Sequence, residues 1–163
     1  MGSADASDWL SWLQQSAPAE TIRDSAWLFP TAEILHIIAF VVAIGCLLVL
    51  DFRLIGLGRR IAFDEVAGAF LPWAIGAFCL TSPTGIALLL PEATSVMRNP
   101  AFLVKMALMA LAGANASLFH FGPWRRRQGW LLGVPPLSAR VSGALSILLW
   151  VGVIAAGRLI AYL

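Results

Sequence analysis

Four long runs of apolar residues dominate the chain, and none of them alternates apolar with polar positions as a half-buried strand would. Each run can form a helix of about 20 residues, the length that crosses a hydrocarbon core of about 30 Å. We therefore predict an all-α integral membrane protein, a bundle of four transmembrane helices. The predicted spans cover residues 31–50, 66–90, 101–121 and 141–163.

The second apolar run is interrupted by the sequence "TSPTG", in which Pro83 has no backbone N–H to donate to a helix. We expect this span to be kinked or locally unwound near Pro83. The hydroxyls of Thr81, Ser82 and Thr84 can satisfy the backbone groups that the proline frees.

Residues 1–30 form a predicted N-terminal segment that precedes a transmembrane domain of residues 31–163. Within the segment, "SDWLSWLQQS" places its apolar residues mostly on one helical face. A short amphipathic helix of this kind lies in the membrane interface, with its tryptophans at headgroup depth. The alternative is a helix that packs over the bundle as a lid. The apolar residues concerned are Trp9, Leu10, Trp12 and Leu13.

The composition also indicates a membrane protein. Hydrophobic residues make up 60% of the chain and charged residues 12%, against roughly 45–50% and about 25% in soluble domains. A net charge of +2 is too small to favour nucleic acid as a partner. The expected partner is the lipid bilayer, with a second copy of the chain or another membrane subunit as further alternatives.

The basic residues predict the orientation of the spans. Short cytoplasmic loops carry an excess of lysine and arginine, and the loops after the first and third spans are rich in arginine. On the opposite side only Arg23 and Arg98 occur outside the spans. We therefore expect both chain termini to lie outside the cell. The arginines of the two basic loops are Arg53, Arg59, Arg60, Arg125, Arg126, Arg127 and Arg140.

Two histidines, His36 and His120, are candidate cofactor-binding residues because ionisable groups at membrane depth are often functional. His36 begins the first span and His120 ends the third, so their depths differ by roughly 20 Å. Two axial ligands of one iron would have to lie only about 4 Å apart. One haem between the two imidazoles is therefore disfavoured, whereas separate sites remain open.

His36 is the centre of a candidate metal site on the outer side, at the level of Met97 and Met106. Imidazole and thioether ligands suit Cu(I) and also a His/Met haem. Glu33 lies one turn before His36 and could accept a hydrogen bond from it. In the alternative interpretation, His36 bonds to Glu33 or a neighbouring helix and only fixes packing.

Four further polar residues fall within or beside the spans. Lys105 can snorkel to the interface or pair with Glu33 or Glu92, and Asn115 can form a hydrogen bond between helices. Asp51 and Arg53, at the end of the first span, are expected to anchor its depth as an ion pair. For His120, the alternative to a ligand is an interfacial histidine in an aromatic belt. That belt would comprise Phe119, Phe121 and Trp124.

Two stretches, "WLFPTAEILHIIAFVVAIGCLLVLDFRLIG" and "NPAFLVKMALMALAGANASLFH", resemble a bacterial inner-membrane family of unknown function that is similar to the copper resistance protein D group. The resemblance is carried by a histidine that opens a span, an Asp-Phe-Arg that closes it, and a later helix with lysine and asparagine. It implies a bacterial cytoplasmic membrane protein that moves or accepts copper. The matching residues are His36, Asp51, Arg53, Lys105 and Asn115.

Three functions follow as hypotheses. The first is binding or movement of copper or another small ligand at an outer-side site around His36. The second is electron transfer by a b-type haem protein, and the third is a non-catalytic accessory subunit of a membrane complex. The sequence shows no catalytic triad and no nucleotide-binding loop, so an enzyme is the less favoured class.

Overall fold

A computed structural model of the chain describes residues 3–131 and 133–163. Residues 1 and 2 of the predicted N-terminal segment, and residue 132 of the predicted transmembrane domain, lie outside the described residues. Across the two described ranges all regular structure is helical. The α-helices are α1 (Ser3–Gln14), α2 (Ala17–Asp24), α3 (Leu28–Ile55), α4 (Phe63–Leu89), α5 (Ala93–Arg98), α6 (Pro100–Phe121) and α7 (Leu137–Leu159), and 3₁₀ turns cover Leu90–Glu92 and Pro123–Gly129.

Helices α3, α4, α6 and α7 are long and apolar enough to cross a membrane, which confirms the prediction of an all-helical chain with four such helices. Their outward faces are apolar as well. On α3, for example, Ile34, Ile38 and Val41 are each more than half exposed. Soluble monomers rarely expose continuous apolar surfaces of this kind. These four helices therefore present a hydrocarbon-like surface.

Helix α3 extends beyond its predicted span at both ends. Apolar residues and the buried Asp51 and Arg53 continue the helix as far as Ile55. It ends at Gly56, whose φ of 105° gives the left-handed conformation that closes many helices. The Gly56 N–H donates to the carbonyl of Arg53, which satisfies one of the last helix carbonyls.

Helix α4 is α-helical from Phe63 to Leu89, so the span is not unwound near Pro83, whereas a kink there stays a prediction. Nearby hydroxyls donate to carbonyls of the preceding turn. Thr81 Oγ1 lies 2.9 Å from the Ala77 carbonyl, and Thr84 Oγ1 lies 2.8 Å from that of Leu80. These bonds flank the Cys79 carbonyl, the acceptor that Pro83 leaves without its helical donor.

The long helices form two hairpins, which contact each other through one helix of each. Helix α3 packs on α4, α6 packs on α7, and α3 contacts α7 between them. The approach of α7 to α3 is close at Gly143, where an added Cβ would lie 2.9 Å from Leu54 Cβ and 3.1 Å from the Asp51 carbonyl oxygen. Helices α4 and α6 make at most marginal contact, so the bundle is open along that side.

Two ends of the bundle differ in their polar groups. We call the end formed by α5, the start of α3 and the start of α6 the His36 end. The opposite end, which carries the loop 56–62 and the 3₁₀ turn Pro123–Gly129, is the arginine end. A buried apolar cluster around Phe63 and Trp130 closes the arginine end, and a second around Trp150 and Val153 lies nearer the middle.

Helices α1 and α2 pack on the His36 end, against α5 and the turn that precedes it. Leu10 and Ala19 are buried in this contact, and the Arg23 guanidinium donates to the Gln14 carbonyl at 2.8 Å. This packing agrees with the lid alternative, and the interfacial position of the segment stays a prediction. Trp9 and Trp12 remain exposed, so the segment also keeps the tryptophans expected of an interfacial helix.

Candidate functional site

The His36 ring is held by α4. Its Nδ1 lies 3.0 Å from the Thr81 carbonyl oxygen and 3.1 Å from Thr84 Oγ1. A carbonyl oxygen can only accept, so we assign a proton to Nδ1, which donates to Thr81. In the neutral ring, Nε2 then carries the lone pair. The bond joins α3 to α4 and fixes the orientation of the ring.

Two neighbours fix the plane of this ring. Phe40, one turn further along α3, stacks on it with ring centroids 6.4 Å apart. On the α4 side Gly85 leaves the space that the ring fills, because a Cβ there would lie 3.0 Å from His36 Cε1. A residue larger than glycine at position 85 would push the ring away from its hydrogen-bond partner.

Lys105 brings a positive charge to the same end of the bundle. Its half-buried side chain passes Gly157 of α7, and its charge acts on the His36 ring. Lys105 does not pair with Glu33 or Glu92, since the one salt bridge in the described ranges joins Arg127 to Asp64 at the arginine end. Lys105 therefore lies at the same end of the bundle as His36 and has no carboxylate partner within salt-bridge distance in the described part of the chain.

The two predicted thioether ligands make no described contact with His36, so the metal site stays a prediction. Met106 is 45% exposed on α6, and Met97 is half-buried in α5. The contacts that the structure describes for His36 are with Phe40 and α4, and neither methionine is among them. Across residues 3–131 and 133–163, no group of three or more His, Cys, Asp or Glu side chains is placed to hold a metal ion.

His120 lies at the other end of the molecule, in an aromatic setting. Its side chain is exposed and stacks on Trp124, with ring centroids 5.9 Å apart, while Phe121 lies edge-on to it at 5.6 Å. This is the environment of an interfacial histidine. The two histidines belong to opposite ends of the bundle and do not form one site.

Asp51 and Arg53 do not form the expected ion pair. Side chains two positions apart on a helix point to nearly opposite faces, so the pair could not have formed within α3. The Arg53 guanidinium donates instead to the Ile61 carbonyl at 3.0 Å and to the Leu131 carbonyl at 2.7 Å. It ties together the two loops of the arginine end.

Asp51 is left as a buried carboxyl with an incomplete set of partners. The residue is 5% exposed, and Oδ2 has no hydrogen-bond partner among the described residues. Ser146 of α7 lines the same cavity as Asp51. Sequence reasoning missed this feature because it assigned Arg53 as the partner. The sequence did contain a signal. Side chains at positions i and i+2 of a helix do not face each other, and this spacing excludes an Asp51–Arg53 ion pair within α3.

A polar pair, Asn115 and Ser142, lines the same cavity as Asp51 and joins α6 to α7. Asn115 Nδ2 donates to the Ser142 carbonyl at 3.0 Å, and the Ser142 hydroxyl donates to Asn115 Oδ1 at 3.1 Å. Asn115 thus bonds across α6 and α7, as a polar residue within a helix bundle is expected to do. The Ser142 hydroxyl gives its one proton to this pair, and one of the two amide N–H groups of Asn115 is used in it.

No family model matches the chain, and no curated protein or solved structure matches it either. The resemblance to the copper resistance protein D group therefore stays a prediction from the residues quoted above.

Proposed function

We propose that the protein is an integral membrane protein of the bacterial cytoplasmic membrane, with the arginine end in the cytosol and both termini outside. The four long apolar helices and their exposed apolar faces support the membrane location. The orientation is supported by the arginines of the two loops, because short cytoplasmic loops are the basic ones. In this orientation the His36 end faces outward.

We further propose that the outer end binds a small ligand through Nε2 of His36. The observation that carries this function is the hydrogen bond from Nδ1 to the Thr81 carbonyl. Histidines that ligate metals usually donate their second ring nitrogen to a backbone carbonyl or carboxylate, which fixes the tautomer and aims the free nitrogen. The same arrangement suits any ligand that donates a proton to Nε2.

The charge of Lys105 favours a neutral or anionic ligand over a bare cation. A ligand with an O–H for Nε2 and an oxygen acceptor for the ammonium, such as a quinol or a weak organic acid, satisfies both groups. Copper(I) is the second candidate, supported by the metal-type orientation of His36 and opposed by the adjacent positive charge. For a b-type haem we find no supporting feature beyond the imidazole itself.

Lys105→Gln separates the two ligand classes because it keeps most of the length of the side chain, removes its charge and adds no sulfur ligand. For the detergent-purified protein, we expect a short-chain quinol to bind at least tenfold more weakly to His36→Ala and to Lys105→Gln. If the ligand is copper, Cu(I) affinity measured by chelator competition will fall in His36→Ala and rise or stay constant in Lys105→Gln.

His120→Ala serves as the matched control, because it removes the other histidine at the far end of the bundle. It is expected to leave both kinds of binding unchanged. Binding of neither probe, or binding that is equally strong in wild type and His36→Ala, would contradict an outer ligand site. That result would leave His36 as a helix-to-helix contact in an accessory subunit.

A further inference from the structure

A second cavity lies in the half of the bundle next to the arginine end, away from His36. It has a volume of about 440 Å³ and is bounded by α3 and α4 on one side and by α6 and α7 on the other. Because α4 and α6 barely touch, the cavity opens between them toward the surface that we assign to lipid. Ligand pockets for small molecules commonly fall between about 300 and 1,000 Å³.

The cavity lies beside a shallow groove along α4. Ala67, Leu71, Ile75 and Trp124 line both the cavity and the groove, so the two are neighbours, and the groove also carries the ion pair of Asp64 with Arg127. An apolar molecule dissolved in the bilayer can therefore reach the cavity from the side, without passing through the loops of the arginine end.

Most of the wall is apolar and partly aromatic, with Phe63, Phe119 and Trp124 among its residues. Aromatic faces of this kind attract organic cations. The polar pair Asn115 and Ser142 is also in the wall, where its two side chains bond to each other and to a backbone carbonyl. These surroundings suit an apolar body better than a sugar or a peptide.

Asp51 supplies the one carboxyl of this wall. It is 5% exposed, its Oδ2 is unpartnered among the described residues, and no Lys or Arg in the described ranges lies within 4 Å of it. Arg53 is turned away, toward the loop carbonyls. A carboxyl removed from water without a counter-charge favours its protonated, neutral form. A cationic ligand in the cavity would stabilise the ionised form and pair with it.

We infer that this cavity binds a lipophilic cation, a molecule with one ammonium or phosphonium centre on an apolar body, with Asp51 as its counter-charge. The apolar wall takes the body and the lateral opening admits the molecule from the lipid. The site is separate from the one proposed at His36 and does not depend on it.

Tetraphenylphosphonium is a suitable probe, and triphenylphosphine oxide is a neutral control of similar shape. Both are titrated into the detergent-purified full-length chain, with protein-free micelles as the background. We expect saturable binding of the cation, clearly weaker binding of the neutral compound, and a loss of at least tenfold in cation affinity in Asp51→Asn. Equal affinity of wild type and Asp51→Asn, or equal binding of the two probes, would overturn the assignment. The second result would mean that the cavity takes neutral acyl chains.

Glu65→Gln is the matched control for charge, because Glu65 is exposed at the same end and lies outside the cavity wall. His36→Ala tests independence from the outer site, and both variants should bind the cation as wild type does. If Asp51→Asn does not fold, Ala116→Phe is expected to fill the cavity and abolish binding. Its control is Leu118→Phe, at an exposed position outside the wall. Unchanged binding in Ala116→Phe would contradict the proposal.

Discussion

The two ends of the bundle differ in how their polar side chains are hydrogen-bonded. At the His36 end, one ring nitrogen is bonded to the neighbouring helix, and we assign the other to a ligand only by proposal. At the arginine end, Arg53 donates to two loop carbonyls, while its Nη1 and Asp51 Oδ2 have no partner among the described residues. The comparison shows that a polar residue within a helix bundle can bond through one atom and leave another without a partner.

The largest effect is expected for Arg53→Ala at the arginine end. The substitution removes two charge-assisted hydrogen bonds to the Ile61 and Leu131 carbonyls, and we expect a loss of about 3 kcal/mol in the free energy of unfolding. The measurement is unfolding in mixed detergent micelles with increasing dodecyl sulfate. Arg59→Ala is the control, because Arg59 bonds to the Gly56 carbonyl in an exposed loop. Equal losses in the two variants would show that Arg53 does not hold the loops together.

Gly85→Ala tests the His36 end with an intermediate effect. The new Cβ would lie 3.0 Å from His36 Cε1 and must displace the ring. We expect a loss of about 1–2 kcal/mol in stability, within the usual range for overpacking, together with the loss of any ligand bound at Nε2. Gly76→Ala, on the same helix with open space around the Cβ position, is the control. Unchanged ligand binding in Gly85→Ala would place the ligand elsewhere.

The smallest effect is expected for the polar pair between α6 and α7. A double-mutant cycle with Asn115→Ala and Ser142→Ala should give a coupling energy of about 0.6 kcal/mol, the average for hydrogen bonds between membrane helices. The same cycle with Ser117→Ala in place of Ser142→Ala should give no coupling, since Ser117 bonds to the Gly113 carbonyl of its own helix. A coupling near zero for the first pair would mean that other partners replace the bond.

The long helices could be predicted from the sequence because each apolar run is long enough to define a span by itself. Their ends were less predictable. Helix α3 continues through Asp51 and Arg53 because tertiary contacts bury both residues, and a hydropathy pattern does not contain such contacts. The turn of α4 that contains Pro83 also stays helical. The hydroxyls beside it bond to carbonyls one turn earlier, and these bonds exist only in the folded helix, so the hydropathy pattern does not contain them.

The candidate sites could be predicted only in part. The position of His36 near the start of a span follows from the sequence, but its partner Thr81 lies 45 residues away and is set by the packing of α3 on α4. The cavity beside Asp51 depends on a gap between α4 and α6, and no local pattern encodes that gap. The sequence did allow one prediction about this site. Asp51 and Arg53 are separated by two positions on one helix, so their side chains cannot form an ion pair.

The proposed function depends most directly on the tautomer of His36, which nitrogen-15 NMR of the imidazole reports. The purified protein, labelled at histidine and carrying His120→Ala to leave one signal, is measured without and with the short-chain quinol. We predict a neutral ring with its proton on Nδ1, and a change in the Nε2 resonance when the quinol is added. A proton on Nε2 in the free protein, or an Nε2 resonance that no added ligand shifts, would contradict the proposed site.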